Sequence, residues 1–332
     1  MTVITPADLE DIITSALIHS RTSEGNARSV ARALVLAEID GKKGHGLSRV
    51  PSYAGQAKSG KVDGTATPRG SRPRSGVLAI DAGLGFAYPA FDLMREQAPQ
   101  IAREAGIAMA GICRSHHYGV AGHHVEAMAE EGLIALLLGN TPAAMAPWGG
   151  KTPLFGTNPI AFAAPLAGRP PLVIDLATSR VARGNILTAQ QKKAPIPEGW
   201  ALDAEGRPTT SADAALKGSM VPMAEAKGAA LALMIEILAA GVTGANFGFE
   251  ATSFFETEGK APNTGQIMIL IDPGVMAEGV PERLGQLARC IEDDGARLPG
   301  GNRLARRKAA EADGLTVDDA ALDAARNLAG QG

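Results

Sequence analysis

Cysteine is scarce in this chain of 332 residues: only Cys113 and Cys290 occur, too few for a disulfide framework or a thiolate metal site. Aromatic residues make up 4%, with two tryptophans and three tyrosines. Neither sign of charge dominates, since 32 Lys and Arg stand against 35 Asp and Glu. That near balance, with no basic patch interleaved with aromatics, argues against nucleic acid as the main partner. Long apolar runs are missing too. The most apolar helix candidate, Gly228 to Ala240, is 13 residues long and carries Glu236, which reads as a buried helix and not a membrane span. The N-terminus has no basic region leading into an apolar run, so no signal peptide is expected. The expectation is a cytoplasmic protein with neither a nucleic-acid nor a membrane partner.

Several signature motifs are absent as well. Asp81-Ala82-Gly83-Leu84-Gly85-Phe86 has two glycines at dinucleotide spacing, but Tyr88 stands where the third belongs and no convincing strand precedes it. Gly150-Lys151-Thr152 mimics the end of a phosphate loop, with Met145 in place of its leading glycine. There is no His-Glu-x-x-His zinc motif and no Gly-x-Ser-x-Gly nucleophile elbow.

The chain that remains is long enough for a large core and about two domains. Thr5-Pro6-Ala7-Asp8 reads as a helix cap with a first-turn proline. Helices are expected over 23–39, 51–59, 89–105, 120–131, 229–240 and 317–328, and strands over 107–112, 133–138, 172–174 and 266–271. Residues 60–77 read as a polar crossing between domains, 206–211 as a surface turn, and 298–307 as a basic loop. Together these predict a mixed α/β core whose strands come from distant parts of the chain.

Chemistry concentrates in a few places. Four of the six histidines fall in His116-His117-Tyr118-Gly119-Val120-Ala121-Gly122-His123-His124. This string follows a strand and opens a helix, where α/β proteins place ligands and where exposed N–H groups receive anions. A cofactor or substrate loop is the preferred reading; capping or surface histidines and a metal site are the rivals. No nearby Asp or Cys completes a metal set. His45 and Arg49 stand four apart, on one face if the segment is helical. There Arg49 would clamp a carboxylate and His45 would move a proton; a surface arginine beside a capping histidine fits the spacing equally well. Thr157 and Asn158 offer a hydroxyl and an amide within a turn-dense stretch. Asp175-Leu176-Ala177-Thr178-Ser179 follows a strand, with Arg180 and Arg183 close enough in sequence to face phosphate. Lys227-Gly228 opens the apolar helix, where an anion would neutralise both lysine and helix dipole. These features suggest a phosphate-bearing cofactor and a small carboxylate substrate.

The strings Gly44-His45-Gly46-Leu47-Ser48-Arg49, Ser115-His116-His117-Tyr118-Gly119, Gly156-Thr157-Asn158-Pro159 and Asp175-Leu176-Ala177-Thr178-Ser179 recur in order in a known family. So do Pro195-Ile196-Pro197-Glu198-Gly199-Trp200-Ala201-Leu202-Asp203, Lys227-Gly228, Ile271-Asp272-Pro273 and Arg297-Leu298-Pro299-Gly300. Over nearly its whole length the chain resembles the malate/L-lactate dehydrogenase family of the non-Rossmann type. That group includes sulfolactate and ureidoglycolate dehydrogenases and the Δ1-piperideine-2-carboxylate/Δ1-pyrroline-2-carboxylate reductases. The resemblance implies a mixed-sheet NAD(P)-binding domain over 75–296. It also implies a helical substrate and dimerisation domain formed by residues 1–74 and completed by 297–332. It implies hydride transfer between NADP or NAD and the C2 carbon of a small 2-oxo acid, or alternatively of a cyclic 2-imino acid, in a homodimer. His45 would transfer the proton, a role that some readings of the family give to His117. Arg49 with Thr157 would bind the substrate carboxylate. His117, Tyr118, Gly119, Asp175, Leu176, Ala177, Arg183, Lys227 and Gly228 would hold the cofactor, and no metal is implied. Where the family commonly has Ser before the first histidine, this chain has Gly44, so another group must orient the His45 imidazole.

Overall fold

The computed structural model describes residues 1–331. The chain opens with strand β1 (Thr2–Ile4) and helices α1 (Pro6–Ile18), α2 (Glu24–Ile39) and α3 (Val50–Ser59), with two 3-10 turns, Lys43–His45 and Leu47–Arg49, joining α2 to α3. There follow β2 (Arg69–Arg74), β3 (Val77–Asp81), α4 (Ala87–Ala105), β4 (Ile107–Ser115), α5 (Ala121–Glu130) and β5 (Ile134–Gly139). Next come β6 (Ile160–Leu166), β7 (Arg169–Leu176), α6 (Arg183–Gln191), β8 (Ala201–Leu202), β9 (Pro208–Thr209), α7 (Ala212–Lys217) and β10 (Ser219–Met220). The chain closes with α8 (Ala226–Glu236), β11 (Thr264–Ile271), α9 (Val280–Asp293), α10 (Gly301–Asp313), β12 (Leu315–Val317) and α11 (Asp319–Leu328).

Helix α1 starts where the sequence says it should. The Thr5 hydroxyl accepts the Asp8 amide at 3.1 Å and Pro6 takes a position that needs no donor. Leu9, Ile13, Ala16 and Leu17 then fall on one face and are fully buried. Asp318 caps α11 in the same way, accepting the Ala321 amide at 3.0 Å. β1 pairs antiparallel with β12, Val3 opposite Thr316, and α1 packs on α11. The two ends of the chain thus share one apolar core with α2 and α3, containing Leu34, Tyr53 and Leu322.

The main sheet has seven strands in the order β2-β3-β4-β11-β5-β6-β7. Only β3 and β4 run parallel; the other pairs are antiparallel. β11 arrives from far along the chain to lie between β4 and β5, with Ile269 opposite both Met109 and Leu136. Both faces of the sheet are covered, so its central strands read as near-continuous apolar runs. Ala135 and Leu137 join the core under α4 and α5, while Leu136 and Leu138 pack against Ile235 and Ala239. A small sheet, β10-β8-β9, packs with α6 and α7 around Ile186, Ala201 and Met220.

Several expectations need correction. The stretch 60–77 contains β2, which pairs with β3 as the edge of the main sheet. The expected turn at 206–211 contains β9. A strand does precede the Gly83/Gly85 loop, and α4 follows it. At Gly85 the loop packs closely on the chain, since a Cβ there would crowd Ala66 and the Asp63 carbonyl. The apolar helix is buried on one side only. Leu233, Met234 and Ile237 on its outer side are exposed, because its central residues alone meet the sheet. The basic segment read as a loop is in large part helix α10. Its Arg303 and Arg307, four apart, share one face.

That face closes a buried ion network. Arg307 donates to Asp40 at 2.7 and 2.9 Å and to Glu126 at 2.8 and 2.9 Å, and Arg303 donates to Glu126 at 2.8 Å. His123 Nε2 lies 2.9 Å from Asp40. Burial alone would raise the Asp40 carboxyl pKa, but hydrogen bonds from His123 and Arg307 outweigh it and hold the group below its ordinary value. Removing one partner leaves buried charges uncompensated, so Arg307→Ala is expected to cost about 3–5 kcal/mol of stability. Arg28→Ala, which breaks the half-exposed pair with Glu24, should cost less than about 1 kcal/mol. Urea denaturation of the two variants checks this; equal midpoints would show that the network carries no special weight.

Candidate active site

The 3-10 turns after α2 hold His45 and Arg49 in a tight backbone. Glu38, buried near the end of α2, accepts the Leu47 amide at 2.7 Å, and a Cβ at Gly46 would collide with the Glu38 side chain. Glycine is therefore required there. Gly44 has open space around it, and its carbonyl accepts Arg49 Nε at 2.7 Å. The Phe255 ring lies 4.4 Å from the Arg49 guanidinium carbon. Arg49 Nη1 is buried with no protein partner. A buried guanidinium with one edge tied to backbone and a nitrogen left open is suited to a carboxylate.

The support that Gly44 cannot give His45 comes from across the site. His45 Nδ1 lies 3.2 Å from His117 Nε2, and the two rings stack with centroids 5.1 Å apart. His117 Nδ1 in turn lies 2.5 Å from the Tyr53 hydroxyl, and Tyr53 lies 3.2 Å from the Tyr88 hydroxyl. These contacts leave His45 Nε2 without a protein partner among the described residues. Burial, then the charges of Arg49, Lys42 and His123, push the His45 pKa down to about 3. His117 is held well below its ordinary value by burial, then by Arg49, His45 and His116. Burial pushes Tyr53 up to about 12 and raises Tyr88 as well. Every one of these groups is therefore neutral at pH 7.

The four clustered histidines part company. His116 is enclosed by Tyr53, Phe86 and Phe254, with neither ring nitrogen partnered. His123 joins Asp40, and His124 meets the Tyr118 carbonyl at 2.8 Å while stacking on Phe91. No three His, Cys, Asp or Glu side chains converge as metal ligands among the described residues. The Tyr118 side chain sits in the core between Phe91 and His124, tight against Gly139. Only its backbone and the left-handed Gly119 border the site.

A second cluster forms at the end of β7. Asp175 accepts the Gly122 amide at 2.9 Å, tying β7 to the start of α5. Its carboxyl is reached by solvent yet crowded by protein, and desolvation raises its pKa against Gly122, Lys42 and His123. Leu176 is exposed beside it, an apolar surface at the end of a strand, and Ala177 continues the chain. The Thr178 carbonyl accepts the Met223 amide at 2.8 Å and Val221 accepts the Arg180 amide at 2.8 Å. These bonds bring the start of α8, with Lys227, to the end of β7. Ala224 and Glu225 just before it are both left-handed, and Gly228 has no space for a side chain. Arg180, Arg183 and Lys227 make no side-chain hydrogen bond or ion pair among the described residues. Three free cations around one strand end fit a phosphate-bearing dinucleotide.

Other residues have different work. Asn158 is buried, donating to Glu236 at 2.7 Å and the Ala232 carbonyl at 3.1 Å. It is a structural tie. Thr157 accepts from Thr178 through its carbonyl at 2.9 and 3.0 Å and makes no hydrogen bond to Arg49. Sequence reasoning missed Tyr53, Tyr88, Phe254 and Phe255. One signal was available for the first two: the chain has three tyrosines, and Tyr53 stands one turn beyond Arg49. The phenylalanines come from a segment about 200 residues away, held on α3 by Gln56, whose amide donates to the Phe254 and Glu256 carbonyls at 3.0 and 2.8 Å.

Comparison with known proteins agrees with this architecture. Residues 4–325 match the family described as malate/L-lactate dehydrogenase. The chain is 49% identical to a (2R)-3-sulfolactate dehydrogenase (NADP(+)) of Chromohalobacter salexigens over 98% of each chain. It is 41% identical to a Δ1-pyrroline-2-carboxylate/Δ1-piperideine-2-carboxylate reductase of Pseudomonas putida, over 97% of this chain and 96% of the relative. The crystal structure of the Δ1-piperideine-2-carboxylate reductase of Pseudomonas syringae superposes with a TM-score of 0.94 at 37% identity, covering 99% of this chain and 100% of that one. With its mixed seven-stranded sheet and its paired N- and C-terminal segments, this chain belongs to the malate/L-lactate dehydrogenase family of NAD(P)-dependent oxidoreductases.

Proposed function

We propose that this protein transfers hydride between NADP(H) and the C2 carbon of a small 2-oxo or 2-hydroxy acid, with 3-sulfopyruvate and sulfolactate the leading pair. One observation carries the reading: the buried, half-partnered guanidinium of Arg49 stands beside a histidine whose Nε2 is free. The chemistry supplied by a bound nicotinamide cofactor is hydride, given to or taken from C2. Arg49, with Nε committed to the Gly44 carbonyl, offers its two Nη groups to the substrate carboxylate. His45 Nε2 gives the proton to the nascent hydroxyl in reduction and receives it in oxidation. His117 holds the His45 ring, Phe254 packs on the His117 ring, and Phe255 lies over the Arg49 guanidinium. Thr157 remains a candidate for the substrate side. Asp175, Leu176, Ala177, Arg183, Lys227 and Gly228, with the backbone at His117, Tyr118 and Gly119, would hold the cofactor. Arg183 is the candidate for a 2′-phosphate, in line with the NADP(+) named for the sulfolactate dehydrogenase relative.

The sulfonate preference draws on Lys42, an exposed cation whose field reaches both His45 and Asp175. Ketimine reduction has its own support, since the Phe254 and Phe255 rings form an apolar wall against His117 and Arg49. A cyclic imine would lie well against such a wall. The exposed Leu233, Met234, Ile237 and Val242 favour a homodimer with this face as its seam; sedimentation as a monomer would argue against it. We place segments 1–74 and 297–332 in a substrate and dimerisation unit and 75–296 in a cofactor unit.

The test is NAD(P)H oxidation with pyruvate, oxaloacetate, sulfopyruvate, 2,3-diketogulonate and the two cyclic imines, each with both cofactors. The ratios of kcat/KM decide the substrate class, and failure to bind either reduced cofactor in a fluorescence titration would end the dehydrogenase reading. His45→Ala is expected to lower kcat by roughly 10²–10⁴-fold while NADPH affinity stays near wild type. Arg49→Ala should raise the substrate KM by roughly 10- to 100-fold; an unchanged KM would remove the clamp.

The pH profile gives an independent check. A histidine whose pKa is lowered to about 3 is neutral throughout pH 5–8, so protonation of His45 does not gate the reaction there. For reduction, kcat/KM is therefore expected to show no tenfold-per-unit fall above the ordinary histidine pKa near 6.5. Such a fall would mean that an imidazolium is the donor.

A further inference from the structure

A neutral imidazole that surrenders its Nε2 proton becomes an imidazolate, unless Nδ1 gains a proton in the same motion. The groups behind His45 are arranged to provide one. We propose that Tyr88, Tyr53 and His117 form a proton relay that lends His45 Nδ1 a proton, drawn from a cavity beside Tyr88, while Nε2 gives one up. This inference rests on the reading of His45 as the proton-transfer group.

The geometry is a single file. Tyr88 and Tyr53 are joined at 3.2 Å, Tyr53 and His117 Nδ1 at 2.5 Å, and His117 Nε2 and His45 Nδ1 at 3.2 Å. Both phenols keep their protons at neutral pH, since burial raises their pKa values. Two opposite orientations satisfy every contact, and in one of them Tyr88 donates to Tyr53, Tyr53 to His117, and His117 to His45. That orientation leaves the remaining His45 proton on Nε2, toward the substrate.

The path is enclosed and built for these residues. Tyr53 is fully buried, with Phe86 and His116 at ring distances of 5.4 and 5.5 Å. Competing partners and stray water are thereby shut out. A Cβ at Gly119 would lie 2.6 Å from the Tyr88 hydroxyl, so only glycine at that left-handed position lets Tyr88 reach Tyr53. On its other side Tyr88 lines a cavity of about 230 Å³ that Asp92, Arg95, His123, Glu126 and Arg307 also border. That volume and those charged side chains suit several waters.

The proton balance closes. In reduction the His45 Nε2–H bond breaks toward the product, while a new Nδ1–H bond forms as His117 Nε2–H breaks. His117 Nδ1 takes the Tyr53 proton, Tyr53 takes the Tyr88 proton, and Tyr88 takes one from cavity water whose hydroxide exchanges with bulk. No electrons move through the relay. After product leaves, cleft water protonates Nε2 and the file shifts back. Oxidation runs the sequence in reverse. Tyr53 and Tyr88 touch no substrate in this scheme and are positioning residues.

Tyr53→Phe and Tyr88→Phe each remove one oxygen and keep the packing. Each is expected to lower kcat by roughly 10²-fold with substrate KM unchanged. In mixed H₂O/D₂O the wild-type rate should curve with deuterium fraction, because several protons move together, and the variants should respond linearly. Wild-type kcat and an unaltered curve in both variants would overturn the relay. A readout without substrate separates this inference from the assigned reaction. With ¹⁵N-labelled histidine, Tyr53→Phe should shift the ring nitrogens of His45 as well as His117, although Tyr53 does not touch His45. Unmoved His45 signals would overturn the relay even in a fully active enzyme. Should no acid in the panel be reduced by wild type, the assigned reaction fails, while the nitrogen shifts still decide whether the file couples the two rings.

Discussion

The ion network around Arg307 holds together three parts of the chain that the site needs side by side. Asp40 ends α2, immediately before the turns that carry His45 and Arg49. Glu126 and His123 lie on α5, directly after the string that carries His117 and Gly119. Arg303 and Arg307 come from α10, near the end of the chain, and Arg303 also donates to the Pro171 carbonyl of β7 at 3.0 Å. Asp40 and Glu126 are buried, and buried carboxylates give strong and directional constraints when paired, and large penalties when not. The approach of His45 to His117 therefore depends on contacts that neither histidine makes.

Within that frame, low dielectric shapes the chemistry. Aromatic rings pack around His117, and among the described residues no carboxylate hydrogen-bonds to His45 or His117. Burial consequently holds the imidazoles and phenols in their neutral forms and leaves Arg49 as the fixed positive charge. A neutral, hydrogen-bonded file beside one guanidinium would separate the two tasks proposed above: the cation would bind an anionic substrate, and the uncharged file would manage the proton. The second charged region, at the ends of β7 and the starts of α6 and α8, lies on different elements, so it can serve a different anion.

Loop placement is fixed from a distance. Phe254 and Phe255 reach the site because Gln56 binds their segment to α3, and Lys61 reinforces it by donating to the Ser253 and Glu256 carbonyls at 2.8 and 3.0 Å. Neither anchor touches the reacting groups. They determine where the two phenylalanine rings stand against His117 and Arg49.

Much of this was legible in the residues alone. The cap at Thr5, the closing helix and the α/β alternation follow from local rules of spacing and capping, and they appear where those rules put them. The ordered strings also sufficed to identify the family. What local rules could not supply was register between distant segments. The basic stretch after Leu298 resembled a loop because the acids that its helix neutralises lie more than 170 residues away. No local pattern marks Tyr53 and Tyr88 as partners, because their hydroxyls meet only in the folded chain. The orientation of His45, lacking a serine neighbour, could come only from His117, which is 72 residues along the chain. Local sequence determined the elements and their chemical types; tertiary packing decided which groups meet out of water, because burial and pairing depend on contacts between residues far apart in the chain.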